Sequence, residues 1–320
     1  MSMTLPTLAL AVLLQLTQEE APPPEPPAPA ADSAPAQALP ETPPEKRELS
    51  RITLKDGQEL RGVVLRRDEH VVVVELAQGE RLELPARLVK SVEAEPNAKV
   101  RDNGEIWFQD PNRTRYLYAP SAMMLRKGEG YFSQKELLFT SVNYGLTDFL
   151  TVQAGAVLPA WLVDGGFNFI GGFKVGGEVT DRLHLAAGAQ GLFLPAASLG
   201  TVGILFGTAT YGTPDGHLSL GLGTPFIFSN GSGSNAFARD VLIAVSGNLR
   251  LTQRVSLVTE NWVVPSLFAN GYGYGQQSLP MINSLAVRML GEKWAVDLGL
   301  IRVPQVGFPI PWLDFTYNFG

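Results

Sequence analysis

Residues 168–180 divide by parity into two faces. Asn168, Ile170, Gly172, Lys174, Gly176, Glu178 and Thr180 form one, and Phe169, Gly171, Phe173, Val175, Gly177 and Val179 form the other, the period-2 signature of a strand with one polar and one apolar side. The pattern recurs. Leu183, Leu185, Ala187, Ala189 and Phe193 oppose His184, Gly188 and Gln190, and Leu218, Leu220, Leu222 and Phe226 oppose His217, Ser219, Gly221 and Gly223. Val241, Ile243, Val245 and Leu249 oppose Ser246, Asn248 and Arg250, while Leu313, Phe315, Tyr317 and Phe319 oppose Asp314, Thr316 and Asn318. About twelve strand-length runs follow from this reading, at 114–124, 131–145, 149–160, 167–180, 183–194, 201–212, 217–228, 241–251, 255–264, 280–290, 294–303 and 309–319. Residues 131–144 and 201–211 are mixed in facing, and without 114–124 the count drops toward ten.

The punctuation between runs is asymmetric. Short polar turns at Thr147-Asp148, Thr180 to Arg182, Thr213 to Gly216, Thr252 to Arg254 and Gly291 to Lys293 alternate with longer connections such as 229–240 and 265–278. Short turns on one rim and long loops on the other are the habit of an up-and-down transmembrane barrel. The charged residues decide which face is wet. A Lys or Arg on the lipid side near the midplane costs roughly 2–4 kcal/mol, so Lys174, Glu178, Arg250, Glu260, Arg288, Asp297 and Asp314 are expected to face the lumen, where their mixed signs favour mutual pairing. A soluble lipocalin-like carrier of hydrophobic ligands would reverse the faces. Its polar exterior is not what the Gly-, Ala- and Ser-rich polar faces offer.

The N-terminal third has a different texture. Residues 1–20 hold a short apolar run of signal-peptide length, and 21–50 are a Pro/Ala-rich segment expected to be a disordered linker. From 51 to 94, β-branched runs are broken by Asp56-Gly57, Asp68-Glu69 and Gln78-Gly79, which predicts about five short strands in a small β module. The order of these turns resembles SH3-like and Sm-like barrels. Residues 95–113 then connect this module to a barrel expected over 114–320.

Composition narrows the functions. The net charge is −6 with no basic stripe, which argues against a nucleic-acid partner. Cysteine is absent and the histidines are only His70, His184 and His217, so neither a thiolate site nor a His-rich metal site is expected, and no cofactor. His217 and Ser219 share a predicted face, with His184 on a neighbouring one, but an i, i+2 pair points in parallel. No orienting carboxylate or oxyanion hole accompanies it, so no catalytic residue is expected. The glycine pairs and the "GYGYG" stretch at 271–275 lie between strands, not ahead of a helix, and are not phosphate loops.

In "RYLYAPSAMMLRKGEGYFSQKELLFTSVNYGLTDFLTVQAGAVLP", residues 115–159, the "APSA" element, the Lys127–Tyr131 turn and "VNYGLTD" at 142–148 resemble a group of uncharacterised bacterial outer-membrane β-barrel proteins. That resemblance implies a place, the outer membrane, and no reaction. The ending "PWLDFTYNFG" looks like the signal read by the outer-membrane assembly machinery, carried by Phe315, Tyr317 and Phe319, with Gly320 departing from the usual terminal aromatic. The expectation is therefore an all-β, antiparallel up-and-down transmembrane barrel preceded by a small SH3-like domain. It would meet outer-membrane lipid and the assembly machinery, and hold residues 51–94 in the periplasm for a protein or cell-wall partner. Two functions compete: a narrow channel for small solutes, and a non-conducting anchor for the periplasmic module.

Overall fold

The computed structural model describes residues 48–320 except 96–97, 102, 159–166, 195–199, 230–234, 239–240, 265–280 and 304–305. The expected signal peptide and nearly all of the expected linker lie outside the described residues. Strands β1 (Leu49–Leu54), β2 (Glu59–Arg67), β3 (Val71–Leu76), β4 (Arg81–Pro85) and β5 (Val89–Ala94) form an antiparallel sheet in the order β4-β3-β2-β1-β5, with a 3-10 turn at Ala86–Leu88. Leu49 and Ser50 already belong to the sheet, two residues before the expected boundary. Ile52, Val72 and Val74 are its buried centre, packed by Leu60, Leu76, Leu84 and Val92. The turns work as read. Asp56 accepts the N–H of Gln58, and Asp68 accepts those of His70 and Val71, the local bonding that makes aspartate a turn former.

A hairpin of β6 (Ala98–Val100) and β7 (Ile106–Phe108) follows. Twelve strands then close a barrel: β8 (Gly130–Lys135), β9 (Phe139–Thr147), β10 (Leu150–Val157), β11 (Phe169–Thr180), β12 (Leu183–Leu194), β13 (Gly200–Thr213), β14 (Gly216–Phe228), β16 (Leu242–Thr252), β17 (Val255–Val263), β18 (Met281–Leu290), β19 (Trp294–Arg302) and β20 (Ile310–Phe319). The ring closes where β20 pairs with β8, setting Phe319 opposite Gly130. A two-residue strand, β15 (Ala236–Phe237), adds to β14 beside the ring.

The twelve strands are not quite the twelve runs. Residues 114–124 form no strand, and the single run expected at 131–145 is two strands, β8 and β9, folded at Glu136 and Leu137 with φ of 50° and 58°. Consecutive positive φ values make the mirror-image turn that matches strand twist, but Glu-Leu carries none of the Gly or Asn that would announce it. One lost strand and one gained strand leave the count unchanged.

The faces separate as the parity did. Phe173, Val175, Leu218, Leu220, Leu222, Val245, Leu249, Leu285, Leu298, Leu313 and Phe315 are exposed on the outer wall, whereas Lys174, Arg288, Asp297 and Asp314 are buried inside. An apolar exterior around a charged interior is the inverse of a soluble ligand-carrying barrel. Short turns at 148–149, 181–182, 214–215, 253–254 and 291–293 share one rim with both ends of the ring, and the longer connections occupy the other, along with the tight 136–138 turn.

Candidate functional site

The barrel interior is filled by the stretch between β7 and β8, and this luminal segment, residues 109–127, is the candidate site. Its fold begins with Asp110, whose carboxylate accepts the N–H of Asn112 at 2.8 Å while its carbonyl accepts that of Arg113 at 3.2 Å. The chain then doubles back. Tyr116 N–H reaches Ala119 O at 2.9 Å and Ser121 N–H reaches Thr114 O at 3.1 Å, closing a small loop whose tip is Leu117 and Tyr118. Ser121 Oγ ties the exit strand by donating to Arg113 O at 2.6 Å. Tyr116, Leu117, Ala119, Ala122, Met123 and Leu125 are almost wholly buried, and Tyr116, Leu117 and Ala119 pack with Ala244, Val258, Ala286 and Trp312 of the inner wall into one apolar cluster. Tyr118 lies edge-on to Trp312, ring centres 4.6 Å apart.

The luminal charges grip this segment rather than line an open passage. Glu260 Oε2 accepts the main-chain N–H groups of Leu117, Tyr118 and Ala119 at 3.0, 3.0 and 2.8 Å, and Trp262 Nε1 donates to its other oxygen at 2.7 Å. Successive N–H groups converging on one carboxylate form an anion nest, and charge-assisted bonds of this kind are about twice as strong as neutral ones. Lys174 does the complementary work: its ammonium donates to the carbonyls of Thr114, Ser121 and Met123 at 3.1, 2.9 and 2.8 Å, using all three of its donors. Arg288 holds Asp297 with a two-pronged grip at 2.7 and 2.9 Å, and reaches Asp110 at 3.4 Å and Tyr116 O at 3.1 Å. Asp314 pairs with Arg115 of the segment and accepts from Ser133 Oγ at 3.1 Å.

Arg250 sits where the segment enters, bonded to Asp215 at 2.8 Å and to the carbonyls of Phe108 and Gln253. Glu178 does not join these residues. It is exposed near the short-turn rim, opposite His184, so the mutual pairing expected of the luminal charges does not extend to Lys174 and Glu178. Their four-residue separation along an extended strand spans roughly 13 Å, too far for a direct contact. Phe315, Tyr317 and Phe319 stand exposed on the outer wall of β20.

The residues that parity did not reveal are those of the segment itself: Asp110, Asn112, Arg113 and Arg115. A signal was present, since Pro120 falls in the middle of the run read as a strand, where it cannot donate to a ladder. Gly145 is the matching feature on the wall. A Cβ there would lie 2.2 Å from Arg126 O and 3.1 Å from Leu125 Cβ, so glycine lets the end of the segment lie flat against β9, bonded through Gly128 N–H to Gly145 O at 2.9 Å and Gly145 N–H to Glu129 O at 2.8 Å.

The imagined Ser-His pair is not assembled. Ser219 and Tyr116 hydroxyls are 2.7 Å apart, Ser219 also meets Thr210, and His217 Nδ1 lies 3.0 Å from Thr213 O. Among the described residues no group of His, Cys, Asp and Glu has the makings of a metal site.

At the short-turn rim the sheet and the barrel touch through charges. Arg61 of β2 forms a bidentate pair with Glu292 at 2.9 and 2.9 Å, and Arg101 reaches Asp215 at 2.9 Å. The hydrogen bond from Arg61 to Glu292 outweighs partial burial and raises the guanidinium pKa above its ordinary value. Trp107 lies under both Arg101 and Arg250, 4.3 and 4.8 Å from its ring centre, within the range of a cation–π contact.

No protein-family model matches the chain, and no curated protein does. Two solved structures show a loose likeness. One is a NanC porin, 10% identical with a TM-score of 0.35, covering 59% of this chain and 97% of that one. The other is the outer membrane protein Omp33 of Acinetobacter baumannii, 12% identical with a TM-score of 0.32, covering 62% of this chain and 100% of its own. Neither likeness is close enough to carry a function across.

Proposed function

We propose that the chain is an outer-membrane β-barrel closed by its own luminal segment, which anchors an SH3-like module at the periplasmic rim. Of the two functions the sequence left in competition, this is the anchor rather than the open channel. One observation carries the choice: Leu117, Tyr118 and Ala119 at the segment's turn are bonded to Glu260 while Tyr116, beside them, is bonded through its carbonyl to Arg288, in the middle of the lumen, so the space a solute would use is filled with packed protein. The apolar outer wall supports the membrane setting. Phe315, Tyr317 and Phe319 would be read by the assembly machinery during insertion.

The module's partner would be a protein or cell-wall component. Residues 48–94 contain no Phe, Tyr or Trp, so the aromatic groove that reads proline-rich peptides has no counterpart, and the chain's own Pro/Ala segment acts as a tether and not as its ligand. Bilayer recording tests the reading. Purified full-length protein should insert without steady current, whereas a Glu260→Ala, Lys174→Met double variant, which releases the segment at both its turn and its exit, should show intermittent openings. A steady ohmic conductance from the unaltered protein would sink the anchor reading.

A further inference from the structure

Lys174 is a buried cation without a buried anion. It is 7% exposed and bonded to three carbonyls, yet among the described residues no carboxylate pairs with it. The neighbouring cations are already matched: Arg113 by Glu129, Arg115 by Asp314 and Arg288 by Asp297. An ammonium so far from water stays ionised only with a partner charge. Carbonyl dipoles orient the ammonium but do not neutralise it.

Beside it lies a cavity of about 60 Å³ between the luminal segment and β8 to β13. Two atoms of residues on its wall, Thr151 Oγ1 and Arg115 Nε, are buried with no hydrogen-bond partner, and their residues are 5 and 4% exposed; Thr114 beside them is taken up by the Tyr131 hydroxyl. Buried polar atoms are nearly always satisfied. Both have an N–H or O–H to donate, the side-chain amides of Asn143, Gln153 and Gln190 add further donors to the wall, and no carboxylate lines it. About 10–15 Å³ of such space admits a water molecule, so there is room for a small ion and a water beside it.

We propose that this cavity binds a monovalent anion of chloride size, which serves as the counter-ion of Lys174 and satisfies Thr151 and Arg115. The site is lined mostly by the wall, Thr151 among it, and closed by Thr114, Arg115 and Pro120 of the segment, so an anion in it is enclosed only when the segment is seated. Halide binding therefore stabilises the closed barrel. It does so whether or not the barrel conducts in some other state.

Crystals of the full chain soaked in sodium bromide provide the direct test. A bromide anomalous peak is expected in the cavity, in contact with Thr151 and Arg115. In detergent micelles the unfolding midpoint should rise by roughly 3 °C for each tenfold increase in chloride above its dissociation constant, with sodium gluconate at equal ionic strength as the larger, excluded anion. Thr151→Val, which keeps the shape and removes one donor, should weaken the halide response about tenfold. Lys174→Met should remove it. A cavity that holds only water in bromide-soaked crystals, or midpoints that coincide in chloride and gluconate, would overturn the proposal, and the bromide measurement needs no variant to fold.

Discussion

Glu260 and Lys174 perform opposite halves of one task. Three main-chain N–H groups and the carbonyls of Ser121 and Met123 in the luminal segment would otherwise lack partners, at about 1–3 kcal/mol for each that is buried. Each side chain answers one set. Glu260→Ala is therefore expected to destabilise the barrel by about 3 kcal/mol or more, seen as a lower midpoint for urea unfolding in micelles and a shifted emission from Trp262, whose indole donates to Glu260. Asp297→Ala leaves Arg288 with the longer contact to Asp110 as its one carboxylate partner among the described residues and should cost about 3–5 kcal/mol, the usual penalty for orphaning one member of a buried pair. That these charges point inward was legible from parity and the cost of burying charge in lipid. Their partners were not legible, because the groups they bind are mostly main-chain atoms of a segment with no strand periodicity of its own. Lys174 and Glu178 show the limit: a shared face puts two charges on the same side of the wall without setting them within reach.

At the scale of elements, the period of two located most strands because each has one exposed apolar side and one side against the packed interior. It failed at the two places where that contrast is lost. Residues 114–124 contain apolar residues at strand-like density, but apart from the exposed Tyr118 most of them are buried against the inner wall, so no continuous solvent or lipid face imposes alternation. Residues 131–145 contain a turn without turn residues. Holding Glu136 and Leu137 at positive φ costs roughly 1–2 kcal/mol per residue for side chains with a Cβ. Replacing them with Asn-Gly should return about that amount, provided neither side chain makes a compensating contact; Leu137 is largely exposed. A raised urea midpoint would show it, and an unchanged or lowered one would mean that the strain is offset by contacts of the native pair. Gly145 is the second element-scale test. Gly145→Val places carbon into Arg126 O, so the end of the segment should detach from β9, and trypsin should cut after Lys127, exposed but held in a turn in the unaltered barrel, faster in the folded variant than in the unaltered protein.

For the molecule as a whole, the outer wall and the module at its rim set two conditions that one membrane satisfies. Leu220 is 52% exposed midway along β14, with Leu218 and Leu222 beside it on the same face. In lipid, Leu220→Arg should cost about 2–4 kcal/mol and reduce the yield of heat-modifiable barrel on a detergent gel. In a barrel that faced water the same change would be neutral or would improve solubility, so the sign of the effect decides between the settings. The short-turn rim, where Arg61 meets Glu292 and Arg101 meets Asp215, then defines the side on which the β1–β5 sheet resides. Exposed pairs of this kind contribute only about 0.2–1 kcal/mol each, and the covalent link through β6 and β7 into a pinned luminal segment holds the sheet more firmly. A cysteine placed at Gln58, in the exposed β1–β2 turn, should stay unlabelled by an impermeant maleimide in intact cells and react once the outer membrane is permeabilised. A cysteine at Phe308, on the opposite rim and 67% exposed, should react in intact cells. Labelling in the reverse order would turn the barrel over and place the module outside the cell, leaving the closed lumen intact but removing the periplasmic anchor.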